Sequence, residues 1–432
     1  MAQFQIKDGV AIIPDGTTEI SELAFYDCTD LTSIVIPDSV TSIGEYAFSG
    51  CTSLKSITIP NSVTEIGSRA FKGCTSLESV TIPESVTEID SETFYGCTSL
   101  KSITIPESVT KIEEYAFYGC TSLESIVVAD GNPVYDSREG CNAIIETTTN
   151  TLIQGFKTTV IPESVTSIGE RAFSGCTSLE SITIPESVTK IEEYAFYGCT
   201  SLESIVVADG NPVYDSREGC NAIIETATNT LIKGCKTTVI TESVTEIGEC
   251  AFEDCTSLES ITIPDSITSI GNVAFSGCTS LKSITIPESV TYIGDGAFGG
   301  CTSLENITIP ESVTKIGEEA FICCTSLKSI TIPESVTYIE ESAFEGCTSL
   351  ESITIPKLVT WIEPYTFQGC TSLKSITIPE YVENIGTDAF DGCTSLVTIN
   401  VPAKKTDYYE ELLPEELHDK IVELAPEKKT KK

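Results

Sequence analysis

The sequence predicts a repeat solenoid built from 23-residue coils that consist mostly of short β-strands and turns, with little helix. Three observations support this prediction. Fourteen Cys-Thr-(Ser/Asp)-Leu corners lie 23 residues apart except for two gaps of 56, each of which is 23 plus 33. Every copy repeats the apolar positions of CTSLKSITIPNSVTEIGSRAFKG, residues 51–73, and 14 of the 16 phenylalanines occupy one equivalent position. Since one coil cannot bury its own apolar face, we expect the coils to stack and bury it against their neighbours.

Each coil is predicted to contain two short strands. Residues 56–59 alternate polar and apolar β-branched side chains, which is typical of a strand with one buried face. Pro60 ends this strand because proline has no backbone donor for a ladder. Residues 63–66 predict a second, weaker extended segment, the chain bends at Gly67, and Ala-Phe-x-Gly-Cys forms a turn or a single helical turn.

The inward side of a coil is predicted from the apolar positions of one copy. These positions are Leu54, Ile57, Ile59, Val63, Ile66, Ala70 and Phe71. The equivalent phenylalanines, Phe25 through Phe390, are expected to form one continuous internal column. This column is predicted to be core and not a ligand site.

The repeat IPxSVTxIGxxAFxGCTSLxSITIP resembles the 23-residue leucine-rich repeat of the BspA-like (Treponema pallidum type) family, over roughly residues 5–402. This resemblance implies a curved, right-handed leucine-rich-repeat superhelix. It also implies a bacterial or protozoan surface protein that binds host or microbial proteins, and it implies no catalytic residue.

The repeat pattern divides the chain into three parts. Residues 1–27 are predicted to be an N-terminal capping partial repeat, and residues 28–402 the solenoid. Residues 403–432 are predicted to be a C-terminal cap, in which a short helix from Pro414 to Leu424 precedes a basic, disordered tail.

Two nearly identical blocks, 129–160 and 208–239, interrupt the solenoid. In the first block, Asp130-Gly131-Asn132-Pro133 is a turn signal, and residues 143–146 and 151–153 predict a hairpin. Each block is interpreted as a projection or an enlarged coil.

Composition excludes several classes of partner. A net charge of −39 argues against nucleic acid and anionic membranes, which are bound through basic side chains. No run of 18 apolar residues predicts a membrane span, and the first residues contain no secretory leader, although a chain whose leader had been removed would begin in the same way. We expect a monomer.

The 19 cysteines favour free, mostly buried thiols over disulfides or a metal site. Fourteen of them share one coil position. Cys235 stands where the other block has Phe156, and a cysteine that replaces phenylalanine is expected to pack as a small hydrophobic residue. Zinc is disfavoured because there is no CxxC pair and the single histidine is His418. Calcium could bind the side-chain oxygens of the blocks, and ordinary hydrogen bonding within turns explains the same residues equally well. The residues are Asp130, Asn132, Asp136 and Glu139 in the first block and Asp209, Asn211, Asp215 and Glu218 in the second.

Charge along the coils predicts a candidate recognition surface. The residue after the corner leucine alternates between lysine and glutamate in both regular arrays, which predicts ion pairs between neighbouring coils. The alternation breaks at the inserted blocks, where four successive coils carry glutamate. The candidate residues are Glu124, Glu180, Glu203, Glu259, Asp130, Tyr135, Arg138, Asp209, Tyr214 and Arg217. A duplication that copied a glutamate coil would produce the same pattern.

No pattern in the chain predicts catalysis or a cofactor. Nucleophilic cysteines need a neighbouring base, and neither a P-loop nor a dinucleotide-binding glycine pattern occurs. We therefore expect a non-enzymatic protein-binding scaffold, a bacterial cell-surface adhesin or recognition protein by the resemblance, with an intracellular or periplasmic interaction scaffold as the alternative. Host matrix and microbial surface proteins are the expected partners.

Overall fold

The computed structural model describes residues 4–425, which form a repeat solenoid, as the sequence predicts. It comprises two compact units. The first unit extends to Leu202 and includes Val206–Val213, and the second comprises Glu203–Ile205 and everything from Tyr214 onward. Within the described residues there is one α-helix, Thr406–Leu412, and three short 3-10 helices, Arg138–Gly140, Arg217–Gly219 and Glu415–Lys420.

Each regular coil of the first unit contributes two short strands, which pair in parallel with the equivalent strands of neighbouring coils. Ser56 lies opposite Ser79, and Ile43 opposite Ile66, so the register equals the repeat length. The first row comprises Val10–Ile12, Ser33–Val35, Ser56–Thr58, Ser79–Thr81, Ser102–Ile105, Ser125–Val128 and Ser181–Ile184. The second row comprises Glu19–Ile20, Ser42–Ile43, Glu65–Ile66, Glu88–Ile89, Lys111–Ile112, Ser167–Ile168 and Lys190–Ile191. The strand Ser204–Val207 contains the boundary between the units.

The second unit has the same two rows. Its first row comprises Ser283–Thr285, Asn306–Thr308, Ser329–Thr331, Ser352–Thr354, Ser375–Thr377 and Thr398–Val401. Its second row comprises Glu246–Ile247, Ser269–Ile270, Tyr292–Ile293, Lys315–Ile316, Tyr338–Ile339, Trp361–Ile362 and Asn384–Ile385. The second-row strands from Glu246 to Ile339 belong to one continuous sheet.

The predicted inward positions form the core of each coil. In the 51–73 copy, Leu54, Ile57, Ile59, Val63, Ile66, Ala70 and Phe71 are all buried. The serine and threonine of the strand, Ser56 and Thr58, are exposed. Burying one strand face while solvating the other produces this alternation, so the strand prediction is confirmed.

The prediction of one continuous phenylalanine column is wrong. The rings from Phe25 to Phe117 stack with centroids 5.2–5.7 Å apart, but Phe156 then meets Phe117 edge-on at 6.5 Å and 75°. Phe173 stacks on Phe196 in a separate pair, and the second unit has its own column from Phe252 to Phe390. The first column ends because the inserted block adds chain between the coils of Phe117 and Phe173.

The predicted N-terminal cap is extended by a hairpin. Val10–Ile12 is the predicted strand, and Ile6–Lys7 pairs with it in antiparallel orientation. The ring of Phe4 stacks on Phe25 at 5.7 Å. The hairpin and this ring cover the open end of the apolar stack.

The inserted blocks are enlarged coils. The predicted hairpin is present as Ile144–Glu146 and Thr151–Gln154, and Tyr135–Asp136 pairs with its first strand. Its second strand then pairs in parallel with Ser167–Ile168, within the second row. The second block repeats this arrangement with Tyr214–Asp215, Ile223–Glu225 and Thr230–Lys233. The hairpin therefore takes the place of a second-row strand.

The C-terminal cap differs from the prediction of one helix over Pro414–Leu424. The helix lies earlier, at Thr406–Leu412, and Pro414 precedes a 3-10 helix. Ile421–Glu423 is a strand that continues the first row beside Thr398–Val401, because an open sheet edge offers unpaired backbone groups. The buried Tyr409 donates to the carbonyl of Pro379 at 2.8 Å. The predicted basic tail, residues 426–432, lies outside the described residues.

Substituting glycine for Cys323 is expected to stabilise the second unit by about 0.5 to 1 kcal/mol. Cys323 is exposed and has a φ of 56° at a corner position where most copies, including Gly346 and Gly369, have glycine. Only glycine adopts this left-handed conformation without crowding of Cβ. Chemical denaturation of Cys323→Gly measures the gain. Cys323→Ala is the matched control, since it removes the thiol without relieving the backbone, and an equal gain in both variants would contradict the explanation.

Candidate functional site

From here on, the corner of a coil includes the Ala-Phe segment that precedes its cysteine. Each corner places two side chains on the outer surface. In the segment x-Ala-Phe-x-Gly-Cys, the alanine and phenylalanine are buried, and the residues that flank them are mostly half-buried or exposed. The residue before the alanine has a positive φ, as in Tyr115 at 58° and Tyr194 at 55°. In the first unit these flanking positions hold seven tyrosines, namely Tyr26, Tyr46, Tyr95, Tyr115, Tyr118, Tyr194 and Tyr197. In the second unit they hold one, Tyr365.

Five of these tyrosines line an open groove of about 450 Å³ in the first unit, which we call the tyrosine groove. Its lining consists of Tyr95, Tyr115, Tyr118, Tyr194 and Tyr197 together with Lys72, Glu92, Arg171 and Ser174. A smaller cavity of about 290 Å³ shares Tyr115, Tyr118, Arg171 and Ser174 with the groove and adds Tyr135 and Glu146.

The rings of the tyrosine groove pack into a wall. Tyr95 and Tyr118 stack with centroids 4.9 Å apart, and Tyr115 meets Tyr118 edge-on at 5.8 Å. Tyr194 and Tyr197 form a second edge-on pair at 6.4 Å. These offset and perpendicular arrangements are the favoured ones for aromatic rings.

Arg171 joins the two edge-on pairs. Its guanidinium carbon lies 5.3 Å from the ring centroid of Tyr115 and 5.3 Å from that of Tyr194. Lys72 lies in the same way over Tyr95, at 4.5 Å. Cation–π contacts of this kind hold the rings and the cations in fixed relative positions.

The first inserted block helps to form the groove because it separates the coil of Tyr118 from the coil of Arg171. The ring of Tyr118 rests against Gly175, where a side chain would lie 2.8 Å from the ring. Beside it, Ser174 is 4% exposed and its hydroxyl has no hydrogen-bond partner among the described residues. The groove floor therefore contains a buried hydroxyl with unused bonding capacity.

A carboxylate at one end of the groove is held by two cations. Glu92 accepts from Arg69 at 2.7 and 2.9 Å and from Lys72, and its side chain is 14% exposed. The hydrogen bond from Arg69 lowers the pKa of Glu92. Arg69 in turn lies over the ring of Tyr46 at 5.4 Å.

Replacing Glu92 with glutamine is expected to lower the free energy of unfolding by about 1 to 2 kcal/mol at pH 7. Because the pKa of Glu92 is lowered in the folded state, its contribution is fully present above the ordinary glutamate pKa and is lost as the pH falls through the lowered value. Denaturation of Glu92→Gln and of the unsubstituted protein should therefore converge in acid. Glu78→Gln, which breaks an exposed pair with Lys101, is the control and should change little. A constant difference at every pH would contradict the assignment.

Predicted ion pairs between neighbouring coils form on both regular arrays, at the step from a glutamate to the lysine of the next coil. In each pair the lysine contacts the glutamate of the preceding coil, at 2.6–3.0 Å. The pairs are Glu78–Lys101, Glu259–Lys282, Glu305–Lys328 and Glu351–Lys374. These exposed contacts support register more than stability.

The acidic residues that the sequence suggests as a recognition surface are exposed. Lysines of the inserted blocks form ion pairs with two of them. Glu124 contacts Lys157 of the first block at 3.0 Å, and Glu203 contacts Lys236 of the second. Glu180, Asp130 and Asp209 are exposed, as is Glu259, which contacts Lys282.

The remaining candidates serve the internal structure of the blocks. Tyr135 is 7% exposed and its hydroxyl accepts from the backbone of Ile112 at 3.3 Å, and Tyr214 is 6% exposed. Arg138 binds Asp136 and Asn150, and Arg217 binds Asp215 and Asn229 in the same way. Tyr135 and Tyr214 therefore do not lie on an exposed face.

Two possible calcium ligands of the first block, Asn132 and Asp136, already have partners, and Asp136 accepts from Arg138. Asn132 accepts from the backbone of Val134 and Tyr135 and donates to the carbonyls of Pro106 and Val109. Among residues 4–425, no group of three or more His, Cys, Asp or Glu side chains is arranged to hold a metal. No helix within the same residues combines the length and the apolar character needed to cross a membrane.

Twelve of the 14 corner cysteines are buried, and Cys28 and Cys176 are half-buried, which agrees with the prediction of mostly buried thiols. Cys51 donates to the carbonyl of Phe25 at 3.1 Å, and the same bond recurs along both regular arrays. Burial raises the pKa of Cys51 and of Cys120 to about 12. Because the thiolate is the nucleophile, these thiols are deactivated.

Sequence reasoning missed the tyrosine groove. The available signal was the string Tyr-Ala-Phe-Tyr at 115–118 and 194–197, in which both residues that flank the inward pair are aromatic. A comparison of flanking residues coil by coil would have shown that tyrosine is concentrated before residue 200.

Comparison with known proteins agrees with the repeat. The sequence matches the model of the BspA type leucine-rich repeat region (6 copies) over residues 18–137, 150–217, 228–348 and 293–414. A search of curated proteins found no significant match.

Several solved structures are similar to this chain. A leucine-rich repeat protein from Bacteroides ovatus is 31% identical, covering 96% of this chain and 92% of its own, with a TM-score of 0.44. A leucine-rich cell surface protein from Faecalibacterium prausnitzii is 31% identical, covering 93% and 89%, with a TM-score of 0.46. A leucine-rich repeat protein from Eubacterium ventriosum is 26% identical, covering 78% and 82%, with a TM-score of 0.51. Since the family model matches most of the repeat array, this chain belongs to the BspA type leucine-rich repeat family.

Proposed function

We propose that this protein is a non-enzymatic scaffold that binds a partner protein through the tyrosine groove. The observation that carries the proposal is the concentration of tyrosines and cations on one outer face of the first unit. Tyrosine and arginine are enriched at protein interfaces because they combine a large apolar surface with directed hydrogen bonds. The deactivated corner thiols support binding as opposed to cysteine chemistry.

The binding proposal is tested with paired variants. Tyr115→Ala combined with Tyr118→Ala removes the edge-on pair at the centre of the groove. Tyr365→Ala is the matched control because Tyr365 occupies the same coil position in the second unit. Host and microbial surface extracts are passed over both variants, and proteins retained by the control but not by the groove variant are purified and titrated. A direct affinity reduced about tenfold or more by the groove substitutions alone would support the proposal. Equal affinity for both variants would overturn it.

We further propose that the protein is displayed on a bacterial cell surface and acts as an adhesin or recognition protein. The support is the F. prausnitzii relative, which is described as a cell surface protein and is 31% identical. Protease treatment of intact source cells, with a cytosolic marker to control for lysis, tests this location. Cleavage without lysis is expected. Protection until lysis would favour an intracellular or periplasmic scaffold.

The acidic surface predicted at the blocks stays a prediction. Its exposed members are Glu124, Glu180, Glu203, Glu259, Asp130 and Asp209. Glu180 and Asp130 both lie in the first unit. Replacing both with lysine is expected to lower the affinity for a cationic partner and to leave the affinity for a groove-bound partner unchanged. No change with any purified partner would refute this surface.

A further inference from the structure

The tyrosine groove is shaped for an extended occupant. It is open along one side and is lined by side chains of several successive corners of the first unit. Sites that recognise small molecules enclose most of the ligand surface, and this groove does not. A linear segment that runs across the corners would contact more of the rings than a compact ligand.

The ring arrangement favours a segment rich in proline. The rings of Tyr115 and Tyr118 meet at 73°, and those of Tyr194 and Tyr197 at 86°, so each pair combines the face of one ring with the edge of the other. Polyproline II segments are already extended and dock into aromatic-lined grooves of this kind at a low cost in conformational entropy. Their carbonyls have no internal partners, and the hydroxyl of Ser174 is a suitable donor.

The charge of the groove favours an acidic segment. The chain has a net charge of −39 and only four arginines, of which Arg138 and Arg217 are bound to aspartates within the inserted blocks. The other two, Arg69 and Arg171, lie with Lys72 along the tyrosines. Glu92 compensates part of this charge, and Arg171 also contacts Glu170. The lining of the groove carries two cations, Lys72 and Arg171, and one carboxylate, Glu92. The adjoining cavity adds four carboxylates, those of Glu113, Glu114, Glu146 and Glu170, so the cations of both cavities lie in the lining of the groove.

We propose that the tyrosine groove binds an extended proline-rich segment of a partner protein that carries acidic residues beside the prolines. The inference rests on the proposed function, because it names the chemistry of the segment that the groove would bind. The prolines lie against the tyrosine rings, and the acidic flanks lie toward Arg171 and Lys72.

The test uses the full chain and three fluorescein-labelled peptides measured by fluorescence anisotropy. One peptide has six prolines between pairs of glutamates, the second replaces the glutamates with lysines, and the third replaces the prolines with alternating alanine and glycine. Saturable binding of the first peptide is expected, with the other two at least about tenfold weaker. Tyr115→Ala with Tyr118→Ala should abolish binding, and Tyr365→Ala should leave it unchanged. Arg171→Gln should selectively reduce the preference for glutamate flanks.

Several results would overturn the proposal. These are no saturable binding of the first peptide, equal binding of the alanine-glycine peptide, or binding that survives the tyrosine substitutions. Binding of a neutral β-linked glucose hexamer at the groove, without binding of the peptide, would identify a glycan site instead. Circular dichroism confirms that each variant is folded, and Tyr194→Ala with Tyr197→Ala, which removes the second ring pair of the groove, replaces the first alanine variant if the latter is not. A protein partner that depends on the tyrosines, combined with no peptide binding, would refute this inference and leave the proposed function standing.

Discussion

Replacing Phe298 with alanine is expected to lower the free energy of unfolding of the second unit by about 4 kcal/mol. Phe298 is fully buried, and its ring stacks between Phe275 at 5.4 Å and Phe321 at 5.5 Å. The substitution removes contacts to both neighbouring coils and leaves a cavity that a regular stack cannot close by moving one side chain. Urea denaturation followed by circular dichroism measures the loss.

Val397→Ala is the control for Phe298→Ala, since Val397 lies in the same unit and is 70% exposed. Its effect should stay within about 0.5 kcal/mol. If Phe298→Ala cost no more than this control, the phenylalanine column would not be the structural core of the second unit.

Replacing Gly155 with alanine is expected to cost about 3 kcal/mol, although it adds only one methyl group. A Cβ at Gly155 would lie 2.2 Å from the ring of Phe173, which is fully buried and stacks on Phe196. The backbone amide of Gly155 donates to the carbonyl of Ala172 at 2.7 Å, so the chain cannot move away without losing this bond. Thermal and urea denaturation of Gly155→Ala measure the cost.

A double-mutant cycle identifies the cause of this cost. Phe173→Leu shortens the ring that meets the new methyl group, so Gly155→Ala should cost less in the Phe173→Leu background. Gly140→Ala is a second control, because its φ is 65° but no atom lies within 4 Å of its Cβ position. It should cost only about 1 to 2 kcal/mol from backbone strain. Additive effects in the cycle would show that the clash with Phe173 is not the reason.

The regular coil could be predicted from the sequence because its determinants are local. The alternation over residues 56–59 fixes which strand face is buried, and Pro60 fixes where the strand ends. The period of 23 residues then fixes the parallel register, as in the pairing of Ile57 with Val80. Every regular coil has the same period and the same alternation, so one coil predicts the strand and the register of its neighbours.

Other features depend on contacts between segments that no local pattern links. The hairpin at 144–154 was predictable, but its replacement of a second-row strand depends on pairing with Ser167–Ile168. The break in the phenylalanine column follows from the same pairing. At the C-terminus, the apolar residues of 417–424 fit a helix equally well, and the open edge of Thr398–Val401 decides in favour of a strand.

The concentration of tyrosine beside the Ala-Phe pairs is visible in the sequence, but the groove itself could not be predicted because it depends on contacts between residues of separate corners. Tyr118 and Arg171 are 53 positions apart in the chain, and the first block lies between them. Only the folded block brings the ring of Tyr118 against Gly175 and places Arg171 over Tyr115. The acidic row is visible in the sequence, but the lysines that compensate Glu124 and Glu203 are 33 residues further along.

Hydrogen–deuterium exchange of the full chain, with and without a purified partner, tests most directly whether the tyrosine groove is the binding surface. This measurement needs no substitution and reports on every coil at once. We predict slower exchange in residues 92–118 and 171–197 when the partner is bound, with the second unit unchanged. Protection confined to the second unit, or to the exposed turns of residues 129–160 and 208–239, would contradict the account and would move the binding surface to the acidic residues or to the repeats of the second unit.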